Sequence, residues 1–387
     1  MFEQKENKLK KRKRKEKQHG VSEKDADTWL STVRSSSVQS VQAATWNKCG
    51  GAQNAYVTLK DGSRLCARSR TPQDRLVLGE VLSYWLSRRL GLDCVPPVTL
   101  TSSEFLLRQR PGDFRSQNLT WNIGQPIALT LWLDRIDSNP NVKVLMPQPI
   151  LEAYRSGKPI TAHDISRSIE KHEISWNRQQ LSWNNGTNES IRPSSKTSAA
   201  EVTRNNTQSV PRSAGLKVKL RDLVILAQWG TMIIFDYLTG NYDRVASMQD
   251  GAERENDPHI LEESIRNLRP SDRGAKLWLL DNESGLLDAY TVLYLKSSRS
   301  DKFLAYHEAM LRTVCVFQRG VIRAVNNLHA ETVPHRALLR YAAERDKMVD
   351  KIARDEGFRL FKENIAQRLD NVVKWIKTCE GMLSVLK

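Results

Sequence analysis

Apolar residues recur along this chain in two rhythms, and the change of rhythm divides it. Tyr56 to Leu59 and Arg64 to Arg68 are short β-type runs flanking Lys60-Asp61-Gly62-Ser63. An Asp-Gly between such runs predicts a hairpin, because glycine accepts the positive φ that a tight turn demands. Leu76 to Leu90 then carries apolar residues at helical spacing, and Gly91 follows as a stop. Val95-Pro96-Pro97-Val98 ends that unit, and Ile127 to Leu133 reads as a buried strand. Leu220 to Leu238 is the most apolar segment, long enough for a buried helix that Gly240 terminates. Lys276 to Leu280 is a short buried strand running straight into Asp281-Asn282-Glu283. From Lys302 onward the spacing is helical, with Leu311, Val314, Val325, Leu328, Leu338 and Leu339 as core candidates and a last helix from Phe358 to Leu386. Strands with one helix first, then a mostly helical half, predict an α+β fold.

The polar stretches set the expected boundaries. Residues 1–45 read as a disordered basic leader, 46–154 as a β-rich lobe, 155–215 as a low-complexity insertion and 216–387 as a helical lobe. Lys8 to Lys17 is almost solid Lys and Arg, and it carries much of the +16 net charge of the 387 residues. Such a run buries no apolar area and stays solvated. A nuclear-import signal, an RNA-binding arm and a membrane-surface patch share that composition; a flexible leader is the plainer expectation. No aromatic residues are interleaved with it, and the charges elsewhere are mixed, so nucleic-acid binding is not the expected main activity. No run of about 18 apolar residues predicts a transmembrane helix, and no apolar region follows the basic run as in a signal peptide. By itself that pattern suggests cytosol or nucleus, without a membrane anchor in this chain.

The insertion is rich in Ser and Asn and holds Asn-x-Ser/Thr triplets at Asn185, Asn188 and Asn205, with another at Asn118. Their clustering is a signal for glycosylation in a secretory compartment. A further triplet begins at Asn282, inside the candidate site, where a glycan would block the cleft. Five cysteines, Cys49, Cys66, Cys94, Cys315 and Cys379, lack the close spacing of zinc or redox pairs. Two disulfides and a free thiol fit an oxidising compartment, and five thiols fit a reducing one equally. Trp229 and Trp278 lie on apolar elements and read as core, while scattered His163, His172, His259 and His329 suggest no metal cluster.

The chemistry concentrates in a pair of segments. A buried helix delivers Asn241-Tyr242-Asp243-Arg244 on the loop after it, and a buried strand delivers Asp281 at its end. Phosphoryl transfer needs one carboxylate for the acceptor hydroxyl and its proton, and another for the divalent ion bridging the phosphates. Protein kinases use these flanking elements, although neither the H-R-D nor the D-F-G wording is present here. Asp at helix and strand ends is also an ordinary capping and turn residue.

Phe235-Asp236-Tyr237-Leu238-Thr239-Gly240-Asn241-Tyr242-Asp243-Arg244 and Leu280-Asp281-Asn282-Glu283-Ser284-Gly285-Leu286 resemble the two signature segments of the four-jointed box proteins. Cys49-Gly50, Asp61-Gly62, Cys66-Ala67-Arg68, Gly79-Glu80-Val81-Leu82-Ser83-Tyr84 and Thr313-Val314-Cys315-Val316-Phe317 extend the resemblance over about residues 46 to 380, outside the insertion. That family is related to the secretory-pathway casein kinase. The resemblance implies a bilobal, protein-kinase-like fold and a Golgi-lumen or secreted Ser/Thr kinase acting on extracellular cadherin-type domains. It implies ATP with Mn2+ or Mg2+ as cofactors, Asp243 as base, Asp281 as metal ligand, and Glu80 holding the basic residue of the neighbouring strand. It also implies disulfides Cys49–Cys66 and Cys315–Cys379, with Cys94 unpaired.

Three differences accompany it. Arg68 stands where kinases carry a phosphate-gripping Lys, and an Arg grips phosphate as a planar fork rather than a point charge. Met248 stands where kinases offer a second metal ligand, and a thioether suits hard cations poorly; Gln249 or Asp250 would serve if the register slips. A basic leader stands where the resemblance implies a membrane anchor, the expectation being either an incomplete or alternative product or a chain that has left the lumen. A pseudokinase acting as a binding or scaffold module is therefore the alternative function, and a nucleic-acid-associated protein rests on the leader alone. Gly50-Gly51 is a weak indication of a nucleotide-covering loop.

Overall fold

The computed structural model describes residues 20–46, 48–51, 53–134, 136, 142–161, 164, 212–271, 276–346, 349 and 355–384. The chain enters through helix α1 (Glu23–Ser35), whose first turn is capped by Ser22 accepting from the Asp25 backbone. Glu23 and Asp25 in that turn complement the helix dipole. Ala26, Trp29, Leu30 and Val33 form its buried stripe. Strands β1 (Val38–Ala43), β2 (Asn54–Leu59) and β3 (Arg64–Arg68) follow as an antiparallel meander. Helix α2 (Asp74–Arg89), strand β4 (Val98–Ser102) and strand β5 (Pro126–Leu131) complete a lobe whose sheet runs β1-β2-β3-β5-β4.

Three sequence expectations are corrected here. The leader does not extend to residue 45: α1 and β1 belong to the folded lobe. Their apolar positions are few, but Val38 and Val41 are buried, and the edge of β1 is satisfied from outside. Gln109, Asp113 and Gln117 side chains accept from the Val38, Val41 and Ala43 N–H groups at 2.8, 2.9 and 3.1 Å, so the outer edge of a polar-looking strand is satisfied without a second neighbouring strand. Secondly, the Val95–Val98 segment leads directly into β4 instead of ending the unit. Thirdly, residues assigned to the insertion are structured at both ends, in α3 (Gln148–Ser156) and at the start of α4 (Arg212–Thr239). The remaining middle of the insertion and the Lys8 to Lys17 run lie outside the described residues.

The second lobe is helical, with α4, α5 (Val245–Glu255), a two-stranded ribbon of β6 (Leu268–Pro270) and β7 (Leu277–Leu279), then α6 (Leu287–Tyr294) and α7 (Ser298–Leu311). Helices α8 (Arg319–His329), α9 (Pro334–Ala343) and α10 (Glu356–Ser384) close it. Leu360, Phe361, Ile365, Leu369, Val372, Val373 and Ile376 of α10 are buried at helical spacing, as are Trp229 and Trp278 on their elements. The bilobal α+β plan expected from the sequence is thus the plan of the molecule.

Two disulfides are present, Cys49–Cys66 with Cα atoms 5.4 Å apart and Cys315–Cys379 at 5.3 Å. Cys315 lies in the extended connection before α8 rather than in a helix. Cys94 is a free, half-buried thiol whose pKa burial pushes up to about 12, which favours its protonated form. No helix among the described residues is long and apolar enough to cross a membrane.

Candidate functional site

Helix α4 ends because Gly240 takes φ 67°, and a Cβ there would meet Leu293 Cδ1 at 2.7 Å. The chain then turns through Asn241, whose Oδ1 accepts from the Asp243 N–H at 3.0 Å. That Asx-type turn presents Asp243, and Asn267 Nδ2 donates to its Oδ2 at 2.8 Å. Burial raises the Asp243 carboxyl pKa above the usual range, and the negative charge of Asp281 raises it further.

The neighbouring Arg244 explains why the motif is long. It is 0% exposed and sits among Asp236 Oδ1, Asn282 Oδ1 and the Leu280 carbonyl, the last at 3.1 Å. One guanidinium therefore ties the end of α4 to the loop carrying Asp281. Asp236 is pushed up to about 6 by burial and pulled back by Arg244.

Asp281 leaves β7 in the left-handed region, at φ 49°. Helix α2 reaches this loop through Gly79, where a Cβ would lie 2.6 Å from the Gly285 carbonyl. A larger residue would lever the helix away and take Glu80 with it. With the close approach in place, Arg68 at the end of β3 meets three carboxylates. It contacts Asp281 directly, Glu283 Oε2 at 3.1 Å and Glu80 Oε2 at 3.7 Å. Burial pushes Glu80 upward, Arg68 pulls it down, and Asp281 and Glu283 push it up again. Burial works against the Arg68 charge, yet the carboxylates hold it more firmly protonated than usual.

The structure brings together Arg68, Glu80, Asp243 and Asp281, the four residues singled out in the sequence. It adds Glu283 and Arg70, which are joined through Arg70 Nε to Glu283 Oε2 at 2.9 Å, and the Asp236–Arg244–Asn282 support. All but Arg70 were visible inside the quoted motifs, but nothing in their spacing gives them a role. Asn282 is 0% exposed, which agrees with the expectation of no glycan there. Asn118 is exposed on a positive-φ turn, and Asn185, Asn188 and Asn205 lie outside the described residues. Of the second-ligand candidates, Met248 and Gln249 are buried, and Asp250 is paired with Lys302 at 3.0 Å.

The donor set suits a hard divalent cation that retains water and phosphate ligands. Asp281 is the most exposed carboxylate around Arg68, at 32% against 3% for Glu80 and 17% for Glu283. Among the described residues no cluster of three His, Cys, Asp or Glu side chains forms a full metal cage. Mg2+-type sites rest on one or two carboxylates plus substrate phosphates, so this set fits.

His307 of α7 supports the same loop. It is 5% exposed, and burial drives its pKa down to about 3, with a bond to the Gly240 backbone opposing the shift. The unfolded chain takes up this proton near pH 6.5 and the native protein does not, so stability falls as pH drops from about 6.5 towards 3. Denaturant titrations of wild type and His307→Gln across that window should show a shallower pH slope for the variant. Equal slopes would mean that His307 titrates normally.

A model of the four-jointed box protein middle domain matches residues 24–382. The chain is 29% identical to the extracellular serine/threonine protein kinase four-jointed of Drosophila melanogaster, over 86% of this chain and 54% of that protein. It is 28% identical to four-jointed box protein 1 of Mus musculus, over 94% of this chain and 66% of that protein. The chain thus spans between about half and two thirds of these relatives. A crystal structure of the Golgi casein kinase with Mn/ADP bound aligns at a TM-score of 0.45 and 11% identity, over 93% of this chain and 78% of that one. With the family model covering α1 through α10, this chain belongs to the four-jointed box protein family.

Proposed function

We propose that this chain is a Ser/Thr protein kinase of the secretory pathway that transfers the γ-phosphate of ATP to a hydroxyl of a cadherin-type extracellular domain. One observation carries the reading: Arg68 ends β3 against both Glu80 of α2 and Asp281 beyond β7, joining the two lobes at a carboxylate suited to a metal. Asp281 would hold Mn2+ or Mg2+, and the ion would neutralise charge on the bridging phosphate oxygens. Arg68 grips phosphate as a fork that Glu80 and Glu283 orient. Asp243, its pKa raised by burial and by Asp281, is suited to accept the proton of the acceptor hydroxyl. The name of the Drosophila relative and the two disulfides support a lumenal or extracellular setting. The exposed turn at Asn118 suits a glycan.

The test is phosphate incorporation into a purified cadherin repeat, located by mass spectrometry. Asp243→Asn should lower transfer by about 10²- to 10⁴-fold, the usual contribution of a general base. Undiminished transfer by the variant would overturn the assignment of the base.

A second reading, a pseudokinase that binds without transferring, is favoured by the position after the catalytic loop. Met248 and Gln249 are buried there and Asp250 is engaged by Lys302, so the usual second metal ligand has no counterpart among them.

A further inference from the structure

Asn54 of β2 stands directly opposite Arg68 of β3, so the two side chains leave the same face of the sheet. Asn54 is 1% exposed, and both ends of its amide are engaged. Its Nδ2 donates to the Cys49 carbonyl at 2.7 Å, and its Oδ1 accepts from Arg70 Nη1 at 2.7 Å. Arg70 in turn spans Glu283, Nε to Oε2 at 2.9 Å and Nη2 to Oε1 at 3.2 Å. Glu283 Oε2 also accepts from Arg68 Nη1 at 3.1 Å. A continuous series of bonds therefore runs from the β1–β2 connection, through a buried amide, to the guanidinium beside Asp281. Cys49 is tethered a second time, by its disulfide to Cys66, which shares the Arg68 face two residues earlier on β3.

The orientation of the amide is chemically specific. The Cys49 carbonyl needs a donor and Arg70 needs an acceptor, so only a side chain offering both at this length satisfies the two partners. A buried group that lost either would keep an unpaired polar atom.

We propose that Asn54 is a positioning residue of the phosphate site. Acting through Arg70 and Glu283, it fixes the Arg68 fork relative to the β1–β2 connection, so that nucleotide phosphates meet a preset guanidinium. The identity of the anion rests on the kinase reading above; the bonded series does not. The role is one of geometry, so it is expressed in nucleotide affinity more than in turnover.

Asn54→Asp is the discriminating variant, because it keeps the acceptor for Arg70 and turns a second acceptor onto the Cys49 carbonyl. Arg70→Lys is its companion, keeping the charge but unable to span Asn54 and Glu283 together. Arg70→Lys should raise KM for ATP about tenfold, the loss expected for one charge-assisted hydrogen bond, and Asn54→Asp about threefold to tenfold, the loss expected for one neutral bond. The value of kcat should stay close to wild type, while Asn54→Asp should melt a few degrees lower because its buried carboxylate faces the Cys49 carbonyl. In Asn54→Asp, amide hydrogen exchange at Lys48, Cys49, Gly50 and Gly51 should become faster. An unchanged KM together with unchanged exchange would overturn the proposal. If wild type binds no nucleotide with any divalent ion, the kinase reading fails, and exchange at these four amides decides the tether by itself. Faster exchange in the variant would then sustain it, and unaltered exchange would end it.

Discussion

Asp281→Asn should reduce phosphate transfer on the order of a thousandfold or more while leaving the fold intact, the largest functional effect expected of any single substitution here. The chemical half of that expectation follows from charge. An amide keeps the shape of the carboxylate but loses the negative oxygen that a hard cation requires. Arg68 would keep Glu283 and Glu80 as partners, so no guanidinium is left bare. The structural half follows from the backbone. Asp281 sits at φ 49°, a left-handed conformation that Asn adopts as readily as any non-glycine residue. Its side chain is about one third exposed, so the ion pair with Arg68 contributes little net stability once solvent screening is counted. Steady-state transfer and a melting curve on the same preparation check both halves. A variant that unfolds would point to a structural role for Asp281, and one with ordinary turnover would remove it from the site.

The largest expected effect on stability lies one layer deeper. Asp236→Ala should cost about 3–5 kcal/mol, the usual loss when one member of a buried ion pair is removed. Arg244 is 0% exposed and cannot reach water when its carboxylate is gone. Its remaining partners, the Leu280 carbonyl and Asn282, are dipoles rather than counter-charges. Against a total stability of about 5–15 kcal/mol, such a loss is a large share. Asp236→Asn retains one acceptor and should fall between the variant and wild type. Urea unfolding midpoints of the three proteins measure the order directly. An Asp236→Ala midpoint equal to wild type would mean that Arg244 gains another counter-charge or water in the variant, and it would contradict the role given to the pair. The same guanidinium positions the loop that carries Asp281, so transfer should decline along with stability.

How much of this was legible in the sequence depended on how local each cause was. The hairpin at Asp61-Gly62, the stops at Gly91 and Gly240 and the buried face of α10 follow from turn chemistry and periodicity. Asp243 and Asp281 are legible because each sits at the end of a strongly apolar element, where a carboxylate is displayed half-buried. Helix α1 and strand β1 were hidden because their partners come from elsewhere. Val38 and Val41 pair with β2, and the outer edge of β1 is completed by Asp113 of the short helix Pro111–Ser116 and by Gln109 and Gln117 in the turns beside it. The Ser22 cap with Asp25 was the one local sign of α1, and the adjacent lysine-rich run masked it.

The support of the site was hidden for a similar reason. Arg244 reads as an ordinary polar loop residue until the fold removes it from water, and Asn54 as one more strand residue until Arg70 and Cys49 close on it. Motif spacing points to the carboxylates displayed at the ends of the apolar elements. It does not reveal which groups hold them, because that role depends on burial and on partners such as Glu283 for Arg70 and Asn282 for Arg244 that only the fold brings close.

The most direct test of the central claim, that metal and nucleotide meet at Asp281, is the melting temperature of wild type and Asp281→Asn with ATP and Mn2+ or Mg2+. A ligand that binds only the native state raises the melting temperature by mass action, and nucleotide at about a hundred times its Kd adds about 2.7 kcal/mol. The account predicts a metal-dependent rise for wild type that Asp281→Asn lacks. The same rise in both proteins, or none in wild type with either metal, would contradict it.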